Sequence, residues 1–367
     1  MYIFQKVKWM KNVLVLFGGR STEYHISLLS AAFVLDGFPR EKYNPVPVGI
    51  AHEGDWLLYR GSTDKLRDQS WINDEGNLPV NLSMSSARPG LITADGEYIR
   101  IDAAFPILHG AGGEDGSAAG LLDLAGIPCV GCGVGAAAVC MDKYYANCVM
   151  DRVGVPHCKW DSFTLAEWRN DLGITKRLIE KLGLPVFVKP SNGGSSVGVI
   201  CAKDETALAA AIETGFTYNE RVVCEEAVDG MEIEVGVLGD PPRASVCGQV
   251  PNTGDLYGYA SKYFDGTEVI VPALIPQEKA NEVRALAVRA FTALGCKGMT
   301  RVDFFIRRGG QVIVNELNTI PGFTSASMYP RMWAAAGVPL AEQITEIIEE
   351  GMRRERPKYD FPDPMGE

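Results

Sequence analysis

Carboxylate, amide and guanidinium side chains are closely spaced at 298–319 (GMTRVDFFIRRGGQVIVNELNT) of this 367-residue chain. The stretch predicts two strands rich in β-branched and aromatic residues, joined at a central Gly-Gly pair suited to a two-residue hairpin turn. In that register Asp303 lies opposite Glu316. Arg301 lies opposite Asn318, and all four side chains share one face because strand side chains alternate.

Two interpretations of this polar face remain open from the residues alone. Carboxylates directly opposite each other repel, with Cβ atoms ~5 Å apart. Arg301 can pair with the acids on a solvated face, or the face can hold Mg²⁺, which accepts carboxylate and amide oxygens. The register adds Phe305 and Val314 to this face. It assigns the opposite, core face to Val302, Phe304, Ile306, Ile313 and Leu317.

A glycine-serine loop, SNGGSSVG at 191–198, could surround a phosphate with backbone N–H groups and hydroxyls. It is not a Walker A sequence, because no GK[ST] follows. It formally matches the nucleophile elbow GxSxG at Ser196, which requires a helix after the turn. The residues that follow favour a strand instead. A phosphate-binding flap is therefore preferred over a plain hairpin turn, and over a serine hydrolase.

Two lysines and a pair of acids are further charged residues that could contact a nucleotide, beside the polar hairpin face and the glycine-serine loop. Lys189 ends an apolar strand just before the loop. Lys143 lies in the first turn of a predicted helix, which is unfavourable beside the helix dipole unless an anion is near. Glu225 and Glu226 lie on a connecting strand, with Glu232 downstream. Such a strand offers backbone groups to an adenine edge and a carboxylate to ribose, although plain strand surface is the alternative for Glu232.

The N-terminal elements predict an open α/β sheet. A strand at 12–17 ends in Gly-Gly and is followed by a helix at 26–35 and a strand at 45–50. The glycine spacing is not GxGxxG. A later strand at 103–108 ends in HGAGGEDG, before a helix at 117–125, which is a typical ligand position in such sheets. Residues 52–100 are predicted to be loop-rich, with aromatic side chains covering a sheet edge.

The remaining pattern alternates strands and helices without internal repeats. The predicted helices are at 142–153, 204–214, 277–294 and 340–354. The predicted strands before the hairpin are at 185–189, 197–202, 221–225, 231–239 and 243–250.

Composition narrows the class of protein. The chain length predicts two or three domains. A hydrophobic content of 46%, a charged content of 22% and a net charge of −11 are typical of a soluble globular protein and argue against a nucleic-acid partner.

Nine scattered cysteines fit a reducing cytoplasm. No apolar run approaches the ~20 residues of a membrane span. The first residues lack the apolar region of a signal peptide, and Met10 could equally be the natural start.

Eight ordered segments make the chain resemble the D-alanine–D-alanine ligase family of ATP-grasp enzymes over nearly its full length. They are GGRSTEYHIS at 18–27, LHGAGGEDG at 108–116, MDK at 141–143, FVKPSNGGSSVG at 187–198, EEAVDGMEIEV at 225–235, SKYF at 261–264, GMTRVDFF at 298–305 and NELNTIPGFTSASMYP at 315–330.

The resemblance implies an α/β, three-domain ATP-grasp architecture. Residues 1–131 would form an N-terminal substrate domain with an open parallel sheet. Residues 132–226 would form the central domain with the flap. Residues 227–367 would form the C-terminal domain with a lid loop at 251–268 and the metal-binding hairpin.

The resemblance also implies the binding roles. The ATP-binding residues would be Lys143 and Lys189 at the α- and β-phosphates, Ser196 in the flap, Glu225, Glu226, Val228 and Glu232 around adenine and ribose, and Lys262 at the γ-phosphate. Two Mg²⁺ (or Mn²⁺) would be held by Asp303, Glu316 and Asn318. The catalytic set would be Glu23, Ser195 and Tyr263, linked by hydrogen bonds, with Arg301 and the Gly322 N–H at the oxyanion. The substrates would be bound by His109, Lys262, Ser327 and Met328.

The implied activity is ATP-dependent joining of two D-alanine molecules through an acyl phosphate, for peptidoglycan synthesis, by a cytoplasmic homodimer. The alternatives are a D-Ala–D-Ser or D-Ala–D-lactate ligase of the glycopeptide-resistance type, a serine hydrolase and a non-catalytic nucleotide sensor. Met328 lacks a hydrogen-bond donor and favours a methyl group in the second substrate. Tyr263 favours D-alanine over lactate.

Overall fold

The computed structural model describes residues 10–251 and 269–354, which form three sheets. The first sheet contains β1 (Lys11–Gly18), β2 (Tyr43–Ile50), β3 (Trp56–Leu58), β4 (Leu78–Leu82), β5 (Gly90–Thr93), β6 (Tyr98–Arg100) and β7 (Ala103–Pro106). Its helices are α1 (Tyr24–Asp36), α2 (Thr63–Arg67), a short 3-10 helix (Ser70–Asn73) and α3 (Ser117–Leu124).

The strand order in this sheet is β6-β5-β4-β3-β2-β1-β7. The strands β2, β1 and β7 are parallel, which confirms the open α/β arrangement. The others extend the sheet in antiparallel pairs. The loop at 109–116 therefore follows the carboxyl end of an edge strand that lies beside β1.

The prediction for residues 52–100 is confirmed only in part, because about half of the segment lies in helices and strands. The segment forms four strands of three to five residues each, too short to show a clear alternation. Tyr59 and Trp71 lie in the core rather than at an edge, whereas Trp56 and Tyr98 are half-buried and Tyr98 lies on the edge strand β6. Trp71 is fully buried and packs edge-on against Phe17 and Tyr59, with ring centroids 5.1 and 5.9 Å away.

The second sheet is antiparallel, with strand order β10-β9-β11-β8. Its strands are β8 (Trp160–Thr164), β9 (Val186–Pro190), β10 (Ile200–Ala202) and β11 (Arg221–Glu226), and the helices of this part of the chain are α4 (Val134–Met141), α5 (Lys143–Val153), α6 (Leu165–Asn170), α7 (Ile174–Leu182) and α8 (Glu205–Gly215). Buried residues of α4 and α5 pack into the core of the third sheet, including Cys140, Ala146 and Met150.

The third sheet is also antiparallel, with strand order β13-β12-β14-β15. It contains β12 (Gly230–Leu238), β13 (Arg243–Val250), β14 (Met299–Arg307) and β15 (Val312–Asn318), with helices α9 (Gln277–Ala293), α10 (Met328–Ala335) and α11 (Leu340–Arg353). These bounds confirm the predicted strands and long helices of this region.

The N-terminal and C-terminal parts share one core. Leu28 and Leu35 of α1 belong to the same buried cluster as Ile344, Ile347 and Ile348 of α11. Burying such side chains stabilises a contact by roughly 1.5–3 kcal/mol each. The first sheet is therefore held against the third by apolar packing. Within the described residues, no helix is long and apolar enough to cross a membrane.

Candidate active site

The hairpin of β14 and β15 carries the polar floor of the site. Arg301 pairs with Asn318 and Asp303 pairs with Glu316, which confirms the predicted pairs. The turn itself differs from the prediction. The Gly310 N–H donates to the carbonyl of Arg307 at 2.7 Å, and the loop is one residue longer than two.

A β-bulge at Asn315 restores the register. Beyond Asp303–Glu316 the pairing shifts by one, so that Phe304 lies opposite Val314. The extra residue in the turn is thus compensated by an extra residue in the strand. The predicted faces of two side chains are wrong in consequence. Val314 lies on the core face and is fully buried, and Ile313 lies opposite Phe305 on the other face.

A third carboxylate extends the floor, and sequence reasoning missed it. Glu234 of β12 lies directly opposite Asp303, so three acids form a row across β12, β14 and β15. Arg301 joins two of them. Its Nε lies 2.7 Å from Asp303 Oδ1 and 3.0 Å from Glu234 Oε2, and its Nη2 lies 2.8 Å from Asp303 Oδ2. Only the pairing of β12 with β14, which no local pattern contains, could have revealed Glu234.

This donor set fits Mg²⁺ held jointly by protein and phosphate. The floor offers two cross-strand carboxylates and an amide, while Asn318 Nδ2 donates to Asp303 Oδ2 at 3.0 Å and so directs its amide oxygen elsewhere. Among the described residues no group of three His, Cys, Asp or Glu side chains is placed to hold a metal by itself. Mg²⁺ in nucleotide sites is usually held by one or two carboxylates plus phosphate oxygens, which such a partial set suits.

Lys143 is hydrogen-bonded to the first residues of the flap. Its Nζ donates to the carbonyl of Gly193 at 2.7 Å, and its backbone N–H donates to the carbonyl of Ser191 at 2.7 Å. Asp142 caps α5, accepting from the Tyr144 N–H and from the Ser191 hydroxyl. Burial lowers the pKa of Lys143. The lysine is thereby pointed into the site rather than into solvent.

Lys189 at the end of β9 donates to the carboxylate of Glu225. Burial disfavours the ammonium charge, but the charge and the hydrogen bond of Glu225, together with the charge of Glu316 and other groups nearby, outweigh it, and the pKa of Lys189 lies above its usual value. The neighbouring carboxylate of Glu226 accepts from the backbone N–H of Lys159 at 2.8 Å and pairs with Arg307. Its side chain is therefore engaged structurally, and its backbone N–H donates to the carbonyl of Lys159 at 3.0 Å.

The flap at 191–198 joins two antiparallel strands, β9 and β10. No helix follows the turn, which contradicts a nucleophile elbow at Ser196. Ser195 and Ser196 have φ of +52° and +58°, in the left-handed region that non-glycine residues rarely adopt. The Ser195 hydroxyl donates to the buried carboxylate of Glu23, just before α1. This bond links the flap to the first sheet.

His109 is buried where the N-terminal and C-terminal parts meet. Its Nδ1 donates to the carbonyl of Ile320 at 2.9 Å, and its Nε2 accepts from the Ser30 hydroxyl at 2.9 Å. Glu114, from the same glycine-rich loop, lies 3.9 Å from Nδ1. Burial raises the pKa of Glu114 to about 7, against the opposing effect of His109. The sequence marked Glu114 only as one of two acids in this loop.

A cavity of about 330 Å³ brings most of the predicted residues together, within the range of small-molecule sites. Its lining includes Glu23, His109, Glu114, Lys143, Lys189, Ser195, Ser196, Glu225, Glu226, Val228, Glu232, Arg301, Glu316, Asn318 and Gly322.

Three described residues of the predicted set, Asp303, Ser327 and Met328, are not among those lining this cavity. Asp303 is 1% exposed, and its carboxylate accepts from Arg301 and Asn318. Ser327 precedes α10, and its hydroxyl is bonded to Thr324. Met328 is 6% exposed and packs with Val250 and Met332. Lys262 and Tyr263, with 252–268 of the predicted lid, lie outside the described residues.

Comparison with known proteins identifies the family. The family model described as D-ala D-ala ligase N-terminus matches residues 12–132, and the one described as D-ala D-ala ligase C-terminus matches residues 149–349. The D-alanine--D-alanine ligase of Acetivibrio thermocellus is 41% identical, covering 94% of this chain and 96% of that protein. D-alanine--D-alanine ligase A of Chromobacterium violaceum is 42% identical, with coverage of 94% and 96%.

Solved structures agree with this result. The VanG D-Ala:D-Ser ligase from Enterococcus faecalis superposes with a TM-score of 0.86 at 34% identity, covering 94% of this chain and 100% of that one. The D-alanine-D-alanine ligase from Coxiella burnetii gives 0.81 at 32% identity, covering 93% and 95%. The two family models match the N-terminal and C-terminal parts of the chain, and the fold is of the ATP-grasp type. The chain therefore belongs to the D-alanine–D-alanine ligase family.

Proposed function

We propose that this protein joins two D-alanine molecules into D-alanyl-D-alanine, with conversion of ATP to ADP and phosphate. The observation that carries the proposal is that an acid and an amide of the floor, Glu316 and Asn318, line one cavity with two half-buried lysines, Lys143 and Lys189. Cations for phosphates and oxygens for Mg²⁺ are the groups that phosphoryl transfer requires. ATP supplies the phosphoryl group that activates the first carboxylate, and Mg²⁺ neutralises its phosphates.

The chain's own side chains bind and orient the reactants. Lys143 and Lys189 contribute positive charge at the phosphates, and the main chain of Glu226 and Val228 receives the adenine. Holding the reacting groups in place can supply a large share of the acceleration, ~7–11 kcal/mol in favourable cases. Little covalent chemistry is therefore asked of the protein.

The amino-acid substrates are assigned to the opposite wall. The carboxylate of Glu23 would receive the ammonium of the first D-alanine, with His109 beside it. Arg301 and the Gly322 N–H would stabilise the oxyanion that forms when the second amino group attacks the acyl phosphate. Water must be excluded during this step, because the acyl phosphate would otherwise hydrolyse.

The second substrate decides between two activities. The similarity to a structure named as a D-Ala:D-Ser ligase favours D-serine as the alternative. Met328 packs with Val250 and Met332 and does not line the cavity, so the role in this choice that its residue type suggested is not supported. The relatives named D-alanine--D-alanine ligase favour D-alanine, whose methyl group needs only an apolar contact. Apolar contacts discriminate weakly against a hydroxyl, roughly 100-fold at most, so D-serine is expected to be a poor substrate rather than an excluded one.

The test is phosphate release from ATP with D-alanine alone, followed by competition at equal D-alanine and D-serine or D-lactate. Products are identified by mass, and L-alanine is the control. We expect D-alanyl-D-alanine as the main product and none from L-alanine. A majority of D-alanyl-D-serine would replace the proposal with the alternative, and no dipeptide at all would reject ligation.

A further inference from the structure

Arg301 is held between two carboxylates rather than one. Its Nε lies 3.0 Å from Glu234 Oε2 and 2.7 Å from Asp303 Oδ1. Glu234 is 4% exposed and Asp303 is 1% exposed, so both pairs are shielded from solvent. A buried charge without a partner is strongly destabilising, and this requirement constrains the orientation of all three groups.

The two carboxylates differ in what else they can do. Asp303 faces Glu316 across the ladder, while Glu234 lies one strand further from Glu316, on the other side of β14. The proposed function makes Asp303 a ligand of Mg²⁺. When its oxygens coordinate the cation, they are no longer fully available to pair with the guanidinium of Arg301.

We propose that Glu234 is the positioning residue that keeps Arg301 aimed at the reacting carboxyl group when Asp303 binds metal. This inference rests on the proposed function and adds a residue to it. Glu234 acts through Arg301 and touches neither substrate nor ATP. Without it, the Arg301 guanidinium depends on its pair with Asp303 and competes with Mg²⁺ for those oxygens.

The register explains why this position suits the role. Glu234 and Arg301 lie on adjacent strands, and Arg301 itself stands opposite Gly236. Because Gly236 has no side chain, the guanidinium can reach diagonally to Glu234 without obstruction on that strand. The Cβ that a larger residue would add at Gly236 meets Trp333 and Tyr329 at 2.8 and 3.1 Å, so that position is also closed to substitution.

The first test is Glu234→Gln, which retains the size of the side chain and removes its charge. We expect kcat for dipeptide formation to fall roughly 100-fold, the usual effect of a misplaced catalytic group, with KM for ATP changed by less than about 2-fold. The Mg²⁺ concentration at half-maximal thermal stabilisation by ADP should rise several-fold, because Arg301 then retains Asp303. Glu234→Asp, which retains the charge, should recover part of both losses.

The matched control is Glu350→Gln. Glu350 is another buried glutamate paired with an arginine, with Arg354 Nε 2.9 Å from its Oε1, but on α11 outside the site. It should lose thermal stability without any change in the Mg²⁺ midpoint. The decisive arm repeats Glu234→Gln in an Arg301→Ala background. A residue that acts only through Arg301 then has no further effect on kcat or on the Mg²⁺ midpoint.

Three outcomes overturn the inference. They are a Glu234→Gln enzyme within about 2-fold of wild-type kcat, an unchanged Mg²⁺ midpoint, or an effect that persists without Arg301, which would make Glu234 a metal ligand itself. A wild-type enzyme that forms no dipeptide would reject the proposed function instead, so the two failures are distinguishable.

Discussion

At the scale of single residues, the site is characterised by charged side chains that are largely withdrawn from solvent. Lys143, Glu225 and Asp303 are all withdrawn from solvent, and each has a polar partner in the protein. A buried ion pair is weak evidence for stability, because desolvation can exceed the attraction. Their arrangement is better explained by the ligand charges that they are placed to meet.

Glu316 provides a direct test of the metal floor. Glu316→Gln retains the volume and removes one of the two cross-strand carboxylates. We expect kcat to fall at least ~100-fold, because Mg²⁺ loses an anionic ligand, with an unchanged circular dichroism spectrum. Glu342→Gln, an exposed acid in the first turn of α11, is the control. Turnover near the wild-type level would show that Glu316 is not a metal ligand.

Glu114 predicts a pH dependence of stability. Its pKa is about 7 in the folded protein against an ordinary value of 4.5, so the fold binds this proton more tightly than the unfolded chain. The associated stability is complete below pH 4.5 and is lost as the pH rises through 7. Glu114→Gln removes this loss. Its free energy of unfolding relative to wild type should increase between pH 5.5 and 8, by ~2 kcal/mol.

Asp115 supplies the matched control for this measurement. Burial raises its pKa, but backbone N–H groups of Gly112 and Ser117 outweigh burial and hold that pKa below the ordinary value. Asp115 is therefore ionised throughout the range tested. Asp115→Asn should change stability equally at pH 5.5 and pH 8. A flat difference between Glu114→Gln and wild type over this range would contradict the raised pKa.

At the scale of elements, the glycine-rich loop after β7 depends on close backbone packing. A Cβ added at Gly113 would lie 1.7 Å from the carbonyl oxygen of Leu108, so the loop cannot keep its path with any larger residue. Gly113→Ala should displace His109 and Glu114, destabilise the fold by roughly 1–3 kcal/mol and reduce kcat. Urea unfolding and steady-state kinetics measure both effects.

Gly135→Ala is the control for that substitution. Gly135 lies in α4 with no atom near its added Cβ, and alanine favours a helix by roughly 0.5–1 kcal/mol. The control should therefore be neutral or stabilising. A Gly113→Ala protein as stable and active as the Gly135→Ala protein would show that the loop has an alternative path.

At the scale of the whole molecule, the site is assembled from segments far apart in sequence. The Ser195 hydroxyl of the flap donates to Glu23 near the N-terminus, and His109 donates to the carbonyl of Ile320 near the C-terminus. These two bonds connect parts of the chain that belong to different sheets. Breaking one should therefore alter how the parts come together, while each part keeps its own fold.

Ser195→Ala tests the first of these connections. Hydrogen bonds to charged groups contribute roughly 1.5–3 kcal/mol, so kcat/KM for D-alanine should fall ~10- to 150-fold. KM for ATP should change little, because Lys143 and Lys189 remain. Ser195→Gly is the matched variant, since it removes the hydroxyl and tolerates the left-handed φ of +52°. Full activity in the glycine variant would assign the effect to backbone strain instead of the hydroxyl.

Local patterns determined much of this protein without its tertiary structure. The pairs Asp303–Glu316 and Arg301–Asn318 were predictable because both strands of a hairpin are neighbours in sequence. Eight motif segments identified the family, and long periodic segments predicted the helices at 277–293 and 340–353. Predictions of this kind depend on a few consecutive residues, so they can be made without knowledge of distant contacts.

Only the tertiary structure decided the rest, because it depends on which distant segments pack together. The pairing of β12 with β14 placed Glu234 beside Arg301, and the β-bulge at Asn315 moved Val314 from its predicted face. Burial raised the pKa of Glu114, and packing against Phe17 and Tyr59 enclosed Trp71. Burial and pairing are properties of the assembled chain. No window of the sequence contains them.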